Sequence, residues 1–357
     1  MKVEFNSKGE KTMEYINDIN INEAVIHVLD TTAEEPILNE YSLDLDEDTY
    51  KFLYKHIEKC FKDDDLKYAA FNSERNIVKE VVQDYLNGID SDLIGLSKEL
   101  ASQLFIIMKG NCNIPSADLI TCSIVTDQGP IIAILKLDYF KNFTHEVQFV
   151  DNKIGIGIVP QSVGLPASGQ KIQKAAFIKL IRNDERYNLF ILDKKNTTKE
   201  SQEYGANYFI NNFLGATLVT NERDMTKTFV QATENWTRKN ITDDAGKAEK
   251  IRTAIKNKLK EEDVINMKEL ADELLSQLPQ EKEDFANYLN QQGLEEVSVD
   301  KTWVEKKFKR IRLNVDKEID LYINDEAYHD SSKFEIVRNG DGTINMVVKN
   351  IRNYIEK

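Results

Sequence analysis

Residues 209–225, FINNFLGATLVTNERDM, run an apolar helix-like segment into Gly-Ala, then a β-branched stretch, then a polar restart. Taken with the residues before them, Tyr204, Tyr208, Phe209 and Phe213 recur on one helical face, and Gly215 stands where helices commonly end in a left-handed residue. Asn221 is placed to cap a second helix, Glu222 and Asp224 fall in its first turn, and Met225, Phe229 and Trp236 form its apolar stripe. Local physics predicts a helix-turn-helix joint, a form that more often builds a core than reads DNA.

Upstream of this joint the chain reads as α+β. INEAVIHVLD (21–30) alternates and is β-branched, as a strand does; DEDTYKFLYKHIEKCF sets Tyr50, Leu53, Tyr54, Ile57 and Phe61 at helical spacing behind an acidic start. Helices are expected around 73–87, ending at Asn87-Gly88, and around 91–109. From 117 to 194 short β-rich runs follow: DLITCSIVT, PIIAILKLDYF, HEVQFV, KIGIGIV, then KAAFIKLI and YNLFILD flanking the polar turn RNDER as an antiparallel hairpin. KKNTTKESQ (194–202) reads as a linker. Beyond it lie about five helical segments. In one, Ala248, Ile251, Ile255 and Leu259 share a face behind Thr242 and two Asp residues; in the next, a Met267-to-Leu278 stripe stops at Pro279; Phe285, Tyr288 and Leu289 continue it to a stop at Gly293. From about 303 the pattern returns to β alternation. The expected organisation is an acidic α+β domain with a mostly antiparallel sheet (1–198), a helical region (199–300) and a C-terminal basic β-hairpin region packed on it (301–357).

Bulk properties narrow the function classes. A chain of 357 residues with 41% apolar and 30% charged residues suits a soluble protein of about two domains. No apolar run is long enough to cross a membrane, and the start, MKVEFNSKGEKTMEY, has no signal-peptide core, so a cytoplasmic protein is expected. Cys60, Cys112 and Cys122 form no C-x-x-C pair and read as reduced thiols. The net charge of −14 argues against a polyanionic partner, but it is unevenly spread. Residues 1–100 hold 11 basic and 23 acidic residues, while residues 301–357 hold 12 basic and 10 acidic ones.

Several motifs approach a catalytic or metal pattern without completing it. GLPASGQK (164–171) is one residue away from a phosphate-binding loop, with Gln170 before the lysine and Ile172 in place of the hydroxyl; a glycine-rich loop between strands fits better. Asp44, Asp46 and Asp48 imitate a calcium loop, yet Thr49 and Lys55 occupy the positions that need Gly and Glu, leaving a helix entrance. Asp193-Lys194-Lys195 has the acid-x-lysine spacing of metal-dependent nucleases but no upstream acid to join it. His56 and Cys60 sit at i,i+4 spacing, and two ligands without two more are usually packing residues. No nucleophile elbow and no zincin helix is present. No catalytic residue, metal ligand or cofactor is therefore assigned.

The run FINNFLGATLVTNERDMTKTFVQATENW resembles the signature region of the bacterial 37-kDa nucleoid-associated protein family. INEAVIHVLD, the helical block through DFANYLNQQGL and the terminal FKRIRLNVDKEIDLYI are similar in the same order, so the resemblance spans most of the chain. It implies association with the bacterial nucleoid in the cytoplasm and DNA binding as the activity. It assigns no DNA-contacting residue.

Those candidates come from the residues themselves. In KTWVEKKFKRIRLNVDKEIDLYIND (301–325), Lys301, Lys306, Lys307, Lys309, Arg310 and Arg312 face only Glu305 among the first twelve positions. Strand alternation throughout predicts Ile311, Leu313 and Val315 on one face, with Phe308, Arg310, Arg312 and Asn314 on the other; after a turn at Asp316-Lys317, Ile319, Leu321 and Ile323 repeat the buried face. Arginines on a rigid strand suit phosphate oxygens, and a neighbouring Phe suits stacking or wedging against a base. Arg252, Lys256 and Lys260 make a second basic stripe at i, i+4 and i+8 of a helix. Both patches together would neutralise about four to six phosphates, a slope of log K against log salt of roughly −4 to −5. The first expectation is thus a non-enzymatic, largely sequence-independent binder of double-stranded DNA. The alternatives are an adaptor that brings a DNA-maintenance partner to the nucleoid through its acidic domain, and a metal-dependent nuclease using Asp193 and Lys195. Exposed aromatics on long amphipathic helices make a homodimer a further expectation.

Overall fold

The computed structural model describes residues 15–110, 114–150, 153–163, 165, 172–182, 185–194, 207–276 and 278–353. Two units divide it, one ending at Val219 and one beginning at Thr220. The boundary therefore falls inside the stretch 209–225 and not at the expected linker, whose residues 195–202 lie outside the described part, as do Cys112, Lys195 and all of the loop 164–171 except Leu165.

The first unit is built on a seven-stranded antiparallel sheet with strands β1 (Ile19–Leu29), β2 (Lys67–Phe71), β3 (Ala117–Thr126), β4 (Gly129–Asp138), β7 (Lys174–Lys179), β8 (Leu189–Asp193) and β9 (Ala216–Val219), in the order β1-β3-β4-β7-β8-β2-β9. Helices α2 (Ile77–Leu86) and α3 (Leu93–Lys109) cover one face with Val78, Val82, Leu100 and Leu104, against Val25, Leu119, Ile132, Ile178 and Ile191. Helix α1 (Glu47–Phe61) serves the other face: Phe61 meets Phe177 at 4.1 Å between ring centroids and Phe190 at 6.0 Å. Since Phe177 and Phe190 alternate along their strands with Ile178 and Ile191, the sheet is buried on both sides. That is why DLITCSIVT and PIIAILKLD are continuous apolar runs and do not alternate. Asp46 caps α1 by accepting from the Thr49 amide at 2.8 Å, which makes the acidic run a helix start. His56 and Cys60 are both buried on α1, and burial pushes the Cys60 thiol up to about 12, so it packs as a neutral group.

Two further strands, β5 (Phe140–Val150) and β6 (Lys153–Val163), pair only with each other, in a separate ribbon. The opening stretch, in turn, is not two helices around a turn. Tyr208–Leu214 forms a π-helix whose Phe209 and Phe213 enter the sheet-side core, Gly215 ends it in the left-handed region, and ATLV becomes β9, paired antiparallel with β2. Four residues after a forced helix stop, two of them β-branched, add an edge to a sheet more readily than they make a turn.

The second unit is mainly helical. Helices α4 (Glu222–Asn240), α5 (Ala245–Glu261), α6 (Met267–Leu275), α7 (Pro279–Gln291) and α8 (Lys301–Phe308) enclose Phe229, Trp236, Ile255, Leu259, Phe285 and Trp303, with the short strand pair β10 (Val264–Asn266) and β11 (Glu296–Ser298) at their side. Asn221 caps α4 through the Asp224 amide at 2.8 Å, as expected, but α5 is capped by Asp244 through Lys247 at 2.7 Å and not by Thr242. Trp236 donates its indole N–H to Asp284 at 2.9 Å, satisfying its one polar atom inside this core. Two hairpins complete the unit: β12 (Arg310–Val315) with β13 (Ile319–Asn324), and β14 (Phe334–Arg338) with β15 (Ile344–Val348); the short helix α9 (Asp325–His329) lies between them in sequence.

Candidate nucleic-acid interface

The basic segment 301–315 is a helix followed by a strand. Asp300 accepts from the Trp303 amide at 2.9 Å and opens α8, which buries Trp303 and Val304. Lys306 and Lys307 fall in the last turn of α8 and Lys309 directly after it, where cations oppose the negative end of the helix dipole. Lys301 is committed elsewhere: its ammonium donates to the carbonyls of Leu259, Lys260 and Glu262 at 3.2, 2.9 and 2.7 Å, closing the C-terminal end of α5. Phe308 belongs to α8, not to the strand. It packs against the helical core with its ring 6.4 Å from Trp303, so it does not stand beside the arginines.

On β12 the expected alternation holds. Ile311 is buried, whereas Arg310, Arg312 and Asn314 are exposed. The register pairs Arg310 with Asn324, Arg312 with Tyr322 and Asn314 with Asp320, so these six side chains share the outer face. Asp316 and Lys317 turn the hairpin with φ of 50° and 65°, both left-handed. The aromatic on this face is Tyr322, 65% exposed, with the Arg312 guanidinium 5.2 Å from its ring centroid. The turn spans three residues, Asp316 to Glu318, and that length sets Tyr322 opposite Arg312; counting across Asp316-Lys317 alone would have set Leu321 there. Among the described residues the carboxylate that pairs with these arginines is Asp320: it lies 3.6 Å from Arg312 and accepts from Asn314 at 3.1 Å. Both members of that ion pair are well exposed, so it holds Arg312 by less than about 1 kcal/mol. Among the described residues no ion pair engages Lys307, Lys309 or Arg310.

The second stripe does not face outward as a free cationic surface. Arg252 donates to both carboxylate oxygens of Glu234 on α4, at 2.8 and 3.1 Å. Burial raises the Glu234 carboxyl, but the hydrogen bonds and charges of Arg252 and Arg238 outweigh it and hold the group below its usual range. Lys260 pairs with Asp325 of α9 at 2.6 Å. Lys256 stands over the Tyr328 ring at 5.5 Å, half-buried, and burial lowers its pKa against the opposing charge of Asp325. All three residues bind neighbouring elements of their own unit. Sequence spacing placed them on one face; it had no means of showing that α4 and α9 cover that face.

The nuclease-like acid is likewise consumed. Asp193 pairs with Lys174, its cross-strand neighbour, both largely buried, and Lys194 pairs with Asp63 at 2.5 Å. Among the described residues no group of three or more His, Cys, Asp or Glu side chains converges as metal ligands, and no helix is long and apolar enough to cross a membrane.

No curated protein matches this sequence. A family model described as nucleoid-associated protein YejK (NA37) matches residues 25–356, which runs from within β1 of the sheet unit through the helical unit and both of its hairpins. The chain therefore belongs to the nucleoid-associated protein family NA37.

Proposed function

We propose that this is a non-enzymatic, nucleoid-located DNA-binding protein of the cytoplasm that grips the phosphate backbone with little regard to sequence. The observation that carries the proposal is the outer face of the β12–β13 hairpin. Arg310 and Arg312 project from a rigid strand, Tyr322 lies beside them, and Lys307 and Lys309 precede them in the chain. Four cations without a buried carboxylate partner suit contacts to successive phosphates, and the Tyr322 ring suits a sugar or base edge. Backbone contacts of this kind fix position and carry no sequence code.

With the α5 stripe taken up by Glu234 and Asp325, the number of phosphates neutralised falls to about four, and the salt slope to about −3.6. Fluorescence anisotropy with a labelled duplex across a salt series measures it. Replacing both arginines, Arg310→Glu with Arg312→Glu, is expected to weaken binding at least tenfold near 0.1 M salt and to shorten the slope by about two. Unchanged affinity and slope would remove the hairpin from the interface. Absence of binding even at low salt would favour the adaptor reading, in which the acidic sheet unit recruits a DNA-maintenance protein. Magnesium-dependent cleavage lost on Asp193→Ala would favour the nuclease.

A further inference from the structure

The β5–β6 ribbon stands outside the seven-stranded sheet and carries a cluster of exposed apolar side chains. Its strands each run eleven residues, which makes a paired arm about 35 Å long, joined to no other strand. Residues directly opposite in the register share a face, and Val147 pairs with Ile156, Phe149 with Ile154 and His145 with Ile158. One face therefore carries Val147, Phe149, Ile154, Ile156 and Ile158, exposed by 50, 76, 67, 72 and 79%. The opposite face pairs Glu146 and Gln148 with Gly157 and Gly155, and Gln148 donates to Glu146 at 2.6 Å. The arm is thus polar and low on one side and continuously apolar on the other.

A two-stranded ribbon is marginal in water on its own, and an apolar face of this extent marks a contact surface. We propose that the apolar face of the β5–β6 arm packs against the same face of a second copy of this chain, making a two-fold dimer. Three features favour a second copy over DNA. From the His145–Ile158 pair to the Phe149–Ile154 pair the face presents no lysine or arginine, so a polyanion finds nothing there to neutralise, and His145 is the one titratable residue among those six positions. The five side chains expose on the order of 600 Å² per copy, so two copies would remove about 1,200 Å², the lower bound for a stable specific interface. Finally, an elongated uncharged stripe meets its own two-fold image without like-charge conflict, as an isologous contact requires.

Sedimentation equilibrium of the full chain, without DNA, tests the proposal independently of the hairpin. The wild type is expected at twice its 41.1 kDa mass at tens of micromolar. Ile156→Asp with Ile158→Asp is expected to raise the dimer dissociation constant at least about 100-fold, because each buried carboxylate would lack a partner. Both positions are exposed in the single chain, so the circular dichroism of the variant should be unchanged. A separate chain carrying Ile156→Lys and Ile158→Lys should be monomeric alone and form a mixed dimer with the aspartate variant, a readout that a folding defect would not produce. A monomeric wild type would overturn the proposal, as would a dimer indifferent to the aspartates. Loss of DNA affinity in the arm variants with the wild type monomeric would also overturn it, and would assign the arm to DNA.

Discussion

Gly215 shows how one residue sets the course of the chain between the two halves of its sequence. Its φ of +58° ends the π-helix, and a Cβ there would stand 2.8 Å from the side-chain nitrogen Nδ2 of Asn76. That same Asn76 caps α2 through the Lys79 amide and donates to the Phe213 carbonyl at 3.1 Å, so it has little freedom to withdraw. Gly88 is the contrast: φ +71° but nothing within 4 Å of an added Cβ. Gly88→Ala should cost about 1 kcal/mol, the left-handed penalty alone, and Gly215→Ala about 2–3 kcal/mol, the penalty plus a disturbed cap. Urea titrations of the two variants side by side measure the gap; equal losses would mean Asn76 yields. His27 offers a second residue-scale test. Its Nδ1 accepts from the Asn39 amide at 3.0 Å and its Nε2 lies 2.8 Å from the Ser97 hydroxyl, which in turn donates to the Ile94 carbonyl, an arrangement that suits the neutral ring. Burial first, and then the charge of Lys98, lower its pKa to about 4 from 6.5. Above pH 6.5 the ring is neutral folded or unfolded; as pH falls from 6.5 towards 4 only the unfolded chain takes the proton, and stability declines. The loss over that window should be on the order of 2–3 kcal/mol, and His27→Gln should show a smaller drop over the same range in urea midpoints.

At the scale of elements, what fixes a basic residue's role is its neighbour. Arg252, Lys256 and Lys260 repeat at helical spacing as well as any DNA-reading stripe, yet each meets an acid or an aromatic of α4 or α9. Arg252→Ala is therefore expected to leave DNA affinity within about twofold of wild type while costing about 1 kcal/mol of stability, since Glu234 keeps Arg238 as a partner. A tenfold loss of affinity from that substitution would return α5 to the interface. Legibility in the sequence follows the same division. β1, α1, α3 and the β7–β8 hairpin were readable because periodicity or turn chemistry acts within a dozen residues. The inward and outward faces of β12 were readable for the same reason. Helix α8 was not: eight residues give barely two turns, too few for a period to emerge against the strand that follows, although the Asp300 cap was present as a signal. Nor could sequence tell that HEVQFV and KIGIGIV leave the sheet, because strand pairing partners are set by tertiary closure.

For the whole molecule the governing quantity is the net charge of −14, which a protein that binds DNA must overcome. Near 0.1 M salt the screening length is about 10 Å, so DNA bound as proposed on the β12–β13 face would feel the charges nearest to it and little of the chain's net charge. At 0.01 M it is about 30 Å, and more of the net negative charge would act on the DNA. Two opposed salt effects result: counterion release strengthens binding as salt falls, and whole-molecule repulsion weakens it. The log–log plot should hold a slope of about −3.6 above 0.1 M and flatten below roughly 0.03 M. A curve that stays straight to 0.01 M would show that the acidic residues exert no field at the DNA. If the arm also joins two copies, each duplex contact is tied to a second hairpin, and binding to long DNA gains from effective concentration what the few cations of one hairpin lack. Short duplexes that fit only one hairpin should then bind with the same slope but lower affinity than long ones, and the Ile156→Asp, Ile158→Asp chain should lose that dependence on length while keeping its contact with the short duplex.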